Sequence, residues 1–302
     1  MLRKLIAAAV VAVVLGLPVF WFLTVPETVS ASALSPHTPN LGNGKEMFYA
    51  GGCISCHAVP NQPDKTRLGG GLGLRSPFGV FYVPNISPDP TDGIGNWSEA
   101  QFITAMVKGT SPSGEHLFPA FPYTSYQRIR FDDLRDLFAY LKTLPAVKGK
   151  IRDHDVPFPF NIRRTLGIWK LLFLDGRQFA PDSTQSAQWN RGAYLVNGPG
   201  HCAECHSPRN ILGAIKSSRR FSGGPSPDGQ GGTPNITQQK LKSWTVKDIA
   251  DTLTTGMTPD ADFVGGSMTE VVRNTSQLSV SDREAMATYI KSLPPIGGSS
   301  SK

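Results

Sequence analysis

The feature that most constrains this chain is an internal repeat with a Cys-x-x-Cys-His motif in each copy. The motifs are Cys53-Ile-Ser-Cys56-His57 and Cys202-Ala-Glu-Cys205-His206. A Pro-Asn-Ile segment follows each motif at nearly equal spacing, beginning at Pro84 and at Pro234. A tryptophan and, at an identical interval after it, a glycine then complete each copy: Trp97 and Gly109, Trp244 and Gly256. Shared order and spacing predict two homologous domains, residues 36–148 and 185–296.

Apolar residues within each copy recur at helical spacing. Helices are predicted over residues 43–49, 98–108 and 131–144 in the first copy and 190–196, 245–254 and 281–293 in the second. Ser98 with Gln101 three positions later is a capping-box pattern. Because no convincing alternating strand pattern is present, the predicted fold class is all-α, with the two domains in tandem after an N-terminal membrane helix.

Residues 149–184 are predicted to be an interdomain linker. Within it the stretch 162–174 is apolar but contains Arg163, Arg164 and Lys170. One interpretation is a helix that docks a partner or lies on a membrane surface. The other is a linker that packs over both domains.

The N-terminus has the character of an export signal or a membrane anchor, predicted over residues 1–24. Arg3 and Lys4 precede an uncharged apolar run, Leu5–Leu23, whose length is near the lower limit for spanning a bilayer. Ala31-Ser32-Ala33 offers a small-residue cleavage pattern, so exported and anchored forms are both considered. The flanking positive charge predicts a cytoplasmic N-terminus and a periplasmic remainder under either interpretation.

The net charge is +7 and the isoelectric point is near 9.3. Such values indicate which partners the chain can attract and say nothing about its fold. No Lys/Arg run of the length typical of a nucleic-acid tail is present in the sequence. We therefore expect contact with anionic lipid or an acidic redox partner, and no nucleic acid.

The histidine after each cysteine pair distinguishes haem attachment from a disulfide or zinc site. In Cys-x-x-Cys-His, two thiols form thioethers to a haem and the adjacent histidine coordinates its iron. The repeat has this pattern twice behind an export signal. We therefore expect two covalently bound c-type haems, on Cys53 and Cys56 and on Cys202 and Cys205, with His57 and His206 as the proximal iron ligands.

The sixth ligand of the second haem is predicted to be Met268. It follows Gly256 in a glycine-rich stretch that allows close approach to a flat macrocycle, and a thioether ligand raises the reduction potential. Core packing is the ordinary role of a lone methionine, and Met257 is the competing ligand.

The first copy departs from this pattern, because Phe121 stands as far after Gly109 as Met268 stands after Gly256, and phenylalanine cannot bind iron. His116, shortly before Phe121, is the predicted sixth ligand of the first haem. A site that is open or binds water is the first alternative. Met106 is another alternative, although its place inside a predicted helix favours core packing.

The chain resembles the cytochrome c subunits of membrane-bound alcohol and aldehyde dehydrogenases and related cytochromes of molybdenum hydroxylases. The resemblance covers residues 40–296 and rests on these stretches: Pro84-Asn-Ile-Ser-Pro-Asp89, Gly93-Ile-Gly-Asn-Trp97, Leu117-Phe-Pro-Ala-Phe-Pro-Tyr123, and Gly265-Gly-Ser-Met268 with Val271 and Val272. It implies class I-like cytochrome c domains on the periplasmic side of the bacterial inner membrane, with proximal ligands at His57 and His206 and a methionine ligand at Met268. Members of the family often have three haem domains, whereas two are predicted here, and the methionine of their first domain corresponds to Phe121.

The resemblance also implies electron flow from a dehydrogenase catalytic subunit through the haems to a quinone, a cytochrome or a terminal oxidase. The leading hypothesis is therefore an electron-transfer subunit rather than an enzyme. The alternative is a haem enzyme, peroxidase-like or oxidising a sulfur compound, at an open first haem. A membrane tether without redox function is a third class, which two intact haem motifs disfavour.

Overall fold

The computed structural model describes residues 1–226, 229 and 231–297, so residues 227, 228 and 230 of the second predicted domain lie outside it. The chain begins with α1 (Leu2–Leu23), an exposed apolar helix. Among the described residues it is the one helix long and apolar enough to cross a membrane. A helix of this kind at an N-terminus is compatible with a membrane anchor or a signal sequence.

The helices repeat in the same order in the two copies. The first copy contains α2 (Leu41–Ala50), α3 (Cys53–His57), α4 (Glu99–Lys108), α5 (Tyr123–Tyr126) and α6 (Phe131–Leu141), and the connecting segment contains α7 (Leu166–Phe173). The second copy contains α8 (Ala187–Asn197), α9 (Ala203–His206), α10 (Val246–Thr255), α11 (Met268–Thr275) and α12 (Val280–Ser292). The six helices predicted from periodicity are confirmed, whereas α3, α5, α9 and α11 were not predicted. The boundaries of the two predicted domains remain a prediction.

The helix after each tryptophan has the same two ends. The Ser98 side chain accepts a hydrogen bond from the Gln101 backbone N–H, and the Gln101 side chain caps the Ser98 N–H in return. Thr245 and Asp248 form the same capping box at α10. Both helices end at a glycine with left-handed backbone, Gly109 and Gly256, a conformation that glycine adopts without steric cost.

Each copy is built on a crossing of its first and last helices. In α2, a side chain on Gly44 would collide with the backbone carbonyl of Asp136 in α6. In α8, a side chain on Gly192 would collide with the backbone carbonyl of Ala285 in α12. The buried apolar side chains of the two copies then join in one contiguous core, so the copies pack on each other directly.

The prediction of an all-α fold is wrong, because helices make up 42% of the chain and antiparallel strands are present. The strands pair as β1 (Gly73–Ser76) with β2 (Gly79–Tyr82) and β3 (Gly224–Pro225) with β4 (Gly232–Thr233). In the first pair Ser76 lies opposite Gly79 across a tight turn, and Gly79 has a φ of 127° that favours glycine. At the other edge of β2, Val80 exchanges two backbone hydrogen bonds of 2.9 Å with Asp155, and Tyr82 N donates to His154 Nδ1 at 3.1 Å, so backbone groups on both edges of the strand have partners.

Candidate haem sites

Each Cys-x-x-Cys-His motif forms a short helix that begins just after a backbone reversal. Gly52, which precedes Cys53, has a φ of 58°, and His201, which precedes Cys202, has a φ of 36°. The helical turn brings the two cysteines and the following histidine of a motif close together in space. No disulfide joins the four cysteines, all of which lie in the described part of the chain.

The histidine of each motif is oriented by a backbone carbonyl from the Pro-Asn-Ile segment. His57 Nδ1 donates to the carbonyl of Pro84 at 2.8 Å, and His206 Nδ1 donates to the carbonyl of Pro234 at 2.8 Å. A ring whose Nδ1 donates in this way keeps its lone pair on Nε2, the arrangement of a histidine that binds a metal. Burial also lowers the pKa of both imidazoles, so both rings are neutral at pH 7.

The asparagine of the same segment holds the carbonyl in position. Asn85 Nδ2 donates to the carbonyl of Val147 at 2.6 Å, and Asn235 Nδ2 donates to the carbonyl of Ile296 at 2.8 Å. Both acceptors follow the last helix of their copy. The segment is therefore tied at one end to the motif histidine and at the other to the chain beyond the last helix, which gives its spacing a structural reason.

The thiols of the two motifs lie in apolar surroundings and near each other. Burial raises the pKa of Cys53 and of Cys202 to about 12. The pKa of Cys56 is raised by burial first and by the neighbouring Cys205 second. The two motifs therefore approach each other at their second cysteines.

Both copies contain the same closed loop after the glycine that ends α4 or α10. Leu117 N donates to the carbonyl of Gly109 at 2.7 Å, and Val264 N donates to the carbonyl of Gly256 at 2.9 Å. In the same loops Thr110 bridges His116, and Met257 bridges Phe263. In the two copies His116 therefore occupies the position that corresponds to Phe263. Phe121 occupies the position that corresponds to Met268, as their equal distance from the glycine predicts.

Met268 is the first residue of α11, half-buried and packed against the core. Its competitor Met257 is about half exposed, at 49%. In the first copy, Met106 is buried inside α4 as a member of the core. Phe121 is half-buried and its ring contacts that of Tyr126, with centroids 5.5 Å apart.

His116 packs against the C-terminal end of α1, although it is far from that helix in sequence. The ring is 3% exposed, and Nε2 donates to the carbonyl of Thr24 at 2.9 Å. Its Nδ1 is buried without a hydrogen-bond partner, as are Thr110 Oγ1 and Tyr123 Oη. If His116 binds iron, the nitrogen available for this is Nδ1.

Each motif is bonded to the other copy of the repeat through the residue that precedes its second cysteine. In the second motif Glu204 is buried, and its carboxylate accepts hydrogen bonds from Thr124 Oγ1 at 2.7 Å and Ser125 Oγ at 2.9 Å. Arg209 completes its coordination at 2.7 Å. In the first motif Ser55 Oγ accepts from Asn274 Nδ2 at 2.9 Å. Each motif therefore bonds a short helix of the other copy: α5, which follows Phe121, or α11, which begins at Met268.

Two further residues close the space between the motifs. His201 Nε2 donates to the carbonyl of Gly51 at 3.3 Å, and the His201 ring contacts that of Tyr126 with centroids 5.6 Å apart. Tyr126 is buried, and its pKa is raised well above 10 by burial and by the neighbouring Cys53. Sequence reasoning missed this group, because nothing in the repeat pattern links positions in different copies.

The residues present fit a covalently bound haem at each motif. Each motif presents two thiols beside a neutral imidazole whose Nε2 lone pair is available. In the first copy, His116 Nδ1 adds a buried polar atom that no protein group satisfies. This donor set matches the thioether and histidine attachment of a c-type haem.

Comparison with known proteins finds a cytochrome c family model, relatives named as cytochromes and a dehydrogenase subunit. The cytochrome c family model matches residues 41–145. A protein named diheme cytochrome c-type from Cereibacter sphaeroides is 46% identical over 98% of this chain and 100% of its own length. A nicotinate dehydrogenase subunit from Pseudomonas putida is 40% identical over 84% of this chain and 21% of its own length. The fructose dehydrogenase cytochrome subunit from Gluconobacter japonicus is 38% identical over 86% of this chain and 54% of its own length.

The coverage differs between these relatives. The chain matches the whole of the Cereibacter sphaeroides protein but only about half of the fructose dehydrogenase cytochrome subunit and about a fifth of the nicotinate dehydrogenase subunit. The resemblance to dehydrogenase cytochrome subunits that the sequence motifs indicated is confirmed.

Proposed function

The chain belongs to the family of c-type cytochromes that includes dihaem cytochromes and the cytochrome subunits of dehydrogenases, and from that premise we propose that it carries electrons from a dehydrogenase catalytic subunit towards the respiratory chain. The family binds haem c covalently and transfers electrons rather than catalysing the oxidation of a substrate itself. When bound, haem supplies the one-electron iron couple, and the protein supplies ligands, burial and orientation.

Two haems are proposed, one on Cys53, Cys56 and His57 and one on Cys202, Cys205 and His206. The carbonyls of Pro84 and Pro234 hold the two imidazoles in the tautomer that binds iron. The four thiols and the His57 ring are partly buried, and the His206 ring is buried, so the protein supplies a largely apolar environment for each centre.

The observation that carries the electron-transfer role is that each motif, or the residue beside it, bonds to the other copy of the repeat. Glu204 bonds Thr124, Ser55 bonds Asn274, and Gly51 bonds His201. Haems attached to the two motifs would therefore be held near each other by one contiguous core. A carrier that accepts an electron at one centre and delivers it from the other needs such proximity, whereas a single catalytic haem does not.

Met268 is proposed as the sixth ligand of the second haem, because it occupies the glycine-flanked loop position at the start of α11. His116 is proposed as the sixth ligand of the first, through the buried Nδ1 that has no other partner. Its Nε2 meanwhile keeps the ring fixed on Thr24.

The chain is proposed to lie on the periplasmic side of the inner membrane and to keep α1 as an anchor. The residues after α1 pack on the body of the protein: Val29 N donates to Thr104 Oγ1 at 2.9 Å, and Glu27 pairs with Lys108 at 2.6 Å. Cleavage after Ala33 would remove these contacts and the hydrogen bond from His116 to Thr24, which supports the uncleaved form.

The test uses membranes that contain the full chain. Candidate substrates, beginning with nicotinate and fructose, are added anaerobically and reduction of the haem α-band is followed, then oxygen uptake is measured in air. We expect one of these substrates to reduce the haems. Oxygen uptake driven by that substrate should disappear in the double variant Cys202→Ala with Cys205→Ala and persist in Val280→Ala. Unchanged oxygen uptake in the double variant would refute the carrier role of the second centre.

Carbon monoxide separates the carrier from the haem-enzyme alternative. Two six-coordinate haems leave the spectrum of the dithionite-reduced protein largely unchanged under carbon monoxide. A full carbon monoxide complex at the first haem would show an open site and favour the enzyme.

A further inference from the structure

The segment between the two copies exposes large apolar side chains on the surface of the protein. They belong to α7 and the residues before it: Phe158, Phe160, Ile162, Ile168, Leu171 and Leu172. Phe158 is 78% exposed and Leu172 is 62% exposed. Soluble surfaces rarely present a contiguous apolar patch of this kind, and one that exists usually meets a membrane or another protein.

The exposed apolar residues of α7 lie on one side of the helix. Ile168, Leu171 and Leu172 are spaced i, i+3 and i+4, so they share one side of the helix. On its other side Gly167 and Lys170 are buried, and Lys170 Nζ donates to the carbonyl of Gly109 at 2.7 Å. The helix is therefore fixed to the first copy by one face and turned outward by the other.

A neighbouring loop extends the patch. Trp169 Nε1 donates to the carbonyl of Leu212 at 2.9 Å, which holds the loop beside α7. In that loop Ile211 is 92% exposed and Leu212 is 50% exposed. We call the six side chains together with Ile211 and Leu212 the apolar platform.

The apolar platform adjoins the point where α1 ends. Gly167 lies so close to Thr24 that a side chain on the glycine would come within 2.5 Å of the Thr24 Cβ. Arg164 Nε donates to Thr24 Oγ1 at 2.7 Å, and the Arg164 guanidinium lies 4.1 Å from the centre of the Trp21 ring. If α1 spans a bilayer, this contact holds α7 at the height of the bilayer surface.

The charge of the segment matches a phospholipid surface. Between Val156 and Leu174 the sequence contains no acidic residue, and Arg163 and Arg164 lie just before α7, whereas Lys170 is buried on the other side of the helix. Apolar side chains beside a basic cluster are the composition of elements that lie in the headgroup region of anionic membranes. The guanidinium of Arg164 also links this surface to the membrane helix itself.

We propose that the apolar platform inserts into the periplasmic leaflet of an anionic bilayer and makes a second membrane contact besides α1. This inference rests on the proposed membrane anchor and goes beyond it, because it fixes how the body of the protein is oriented. The first copy then faces the bilayer through α7.

The test is photo-crosslinking of the full-length holoprotein in vesicles of phosphatidylcholine and phosphatidylglycerol. A phosphatidylcholine with a diazirine in its acyl chain is activated, and the labelled peptides are identified by mass spectrometry. Labels are expected on α1, on residues 158–172 and on residues 211–212. Labels on α1 without labels on the apolar platform would overturn the inference and leave the anchor standing, whereas no labels on either would remove both.

A pair of matched variants makes the result specific. Leu172→Glu places a charge on the apolar platform, and Val280→Glu places the same charge on a residue of equal exposure, 62%, at the start of α12. We expect Leu172→Glu to lower labelling of residues 158–172 by about tenfold, since a charge is unfavourable in the lipid, and Val280→Glu to leave it unchanged. The haem absorption spectrum confirms that both variants are folded.

Native membranes distinguish lipid from a protein partner. In native membranes the lipid reagent could fail to label the apolar platform while a protein–protein crosslinker joins the platform to a dehydrogenase subunit. In that case the platform is a protein interface and the proposal is wrong.

Discussion

The carboxylate of Glu204, inside the second Cys-x-x-Cys-His motif, accepts a hydrogen bond of 2.7 Å from the hydroxyl of Thr124 in the other copy of the repeat. The carboxylate is buried, and the charge of Arg209 with the hydroxyls of Thr124 and Ser125 lowers its pKa despite the opposing effect of burial. A residue that the haem motif leaves unspecified thus connects the two centres.

Removing this carboxylate should destabilise the protein strongly. Glu204→Ala removes the ion pair with Arg209 and leaves the hydroxyls of Thr124 and Ser125 without their acceptor, so we expect the free energy of unfolding to fall by about 2–4 kcal/mol. Glu270→Ala removes an exposed pair with Arg273 and should cost less than about 1 kcal/mol. Denaturant unfolding of the holoprotein in detergent measures both, and equal effects would contradict a role for Glu204 at the interface.

The helix crossings should not tolerate a methyl group. Gly44→Ala and Gly192→Ala place a Cβ against the backbone carbonyls of Asp136 and Ala285, and we expect each to lower the free energy of unfolding by at least about 2 kcal/mol. Gly42→Ala, at an exposed position of α2, should change the free energy of unfolding by less than about 1 kcal/mol. Thermal unfolding of the three variants checks this. A Gly192→Ala protein as stable as Gly42→Ala would show that the crossing is looser than described.

Axial ligation of the first haem depends on His116. Low-temperature EPR with near-infrared magnetic circular dichroism should show one His/Met and one His/His centre, and His116→Ala should abolish only the second. His116→Gln keeps a donor for the Thr24 carbonyl but offers no iron ligand, so it should lose the same centre. A high-spin haem in the wild-type protein, or a spectrum unaffected by either change, would rule out His116.

Lys170 should make stability depend on pH. Burial lowers its pKa to about 7 from 10.5, with Glu27 acting in the opposite direction. Between those values the unfolded chain binds more protons than the folded protein, so stability rises with pH above 7 and falls as the pH drops towards 7. Relative to Lys170→Met, the wild type should gain roughly 1–3 kcal/mol between pH 7 and pH 9. Denaturant midpoints at both pH values measure the difference, and a difference that stays constant would contradict a buried, deprotonated lysine.

The parts of the fold that the sequence predicts are those with local causes. Ser98 and Gln101 form the expected capping box because a cap needs only residues three positions apart. The β1–β2 hairpin escaped detection because four-residue strands around Pro77 and Gly79 are too short and too glycine-rich to show alternation.

The same distinction holds at the site. The motif histidines and the Met268 position follow from spacing within one copy. Glu204 and Thr124, in contrast, are 80 residues apart and meet only when the two copies pack. The hydrogen bond between His116 and Thr24 spans 92 residues, so no local pattern announced it.

The most direct test of the account is the number of covalent haems on the full-length chain and on the two cysteine variants. Intact mass and the pyridine haemochrome spectrum should give two haems in the wild type. They should give one in Cys53→Ala with Cys56→Ala and one in Cys202→Ala with Cys205→Ala. A wild type with a single haem, or a variant that keeps both, would contradict the assignment of one haem to each motif.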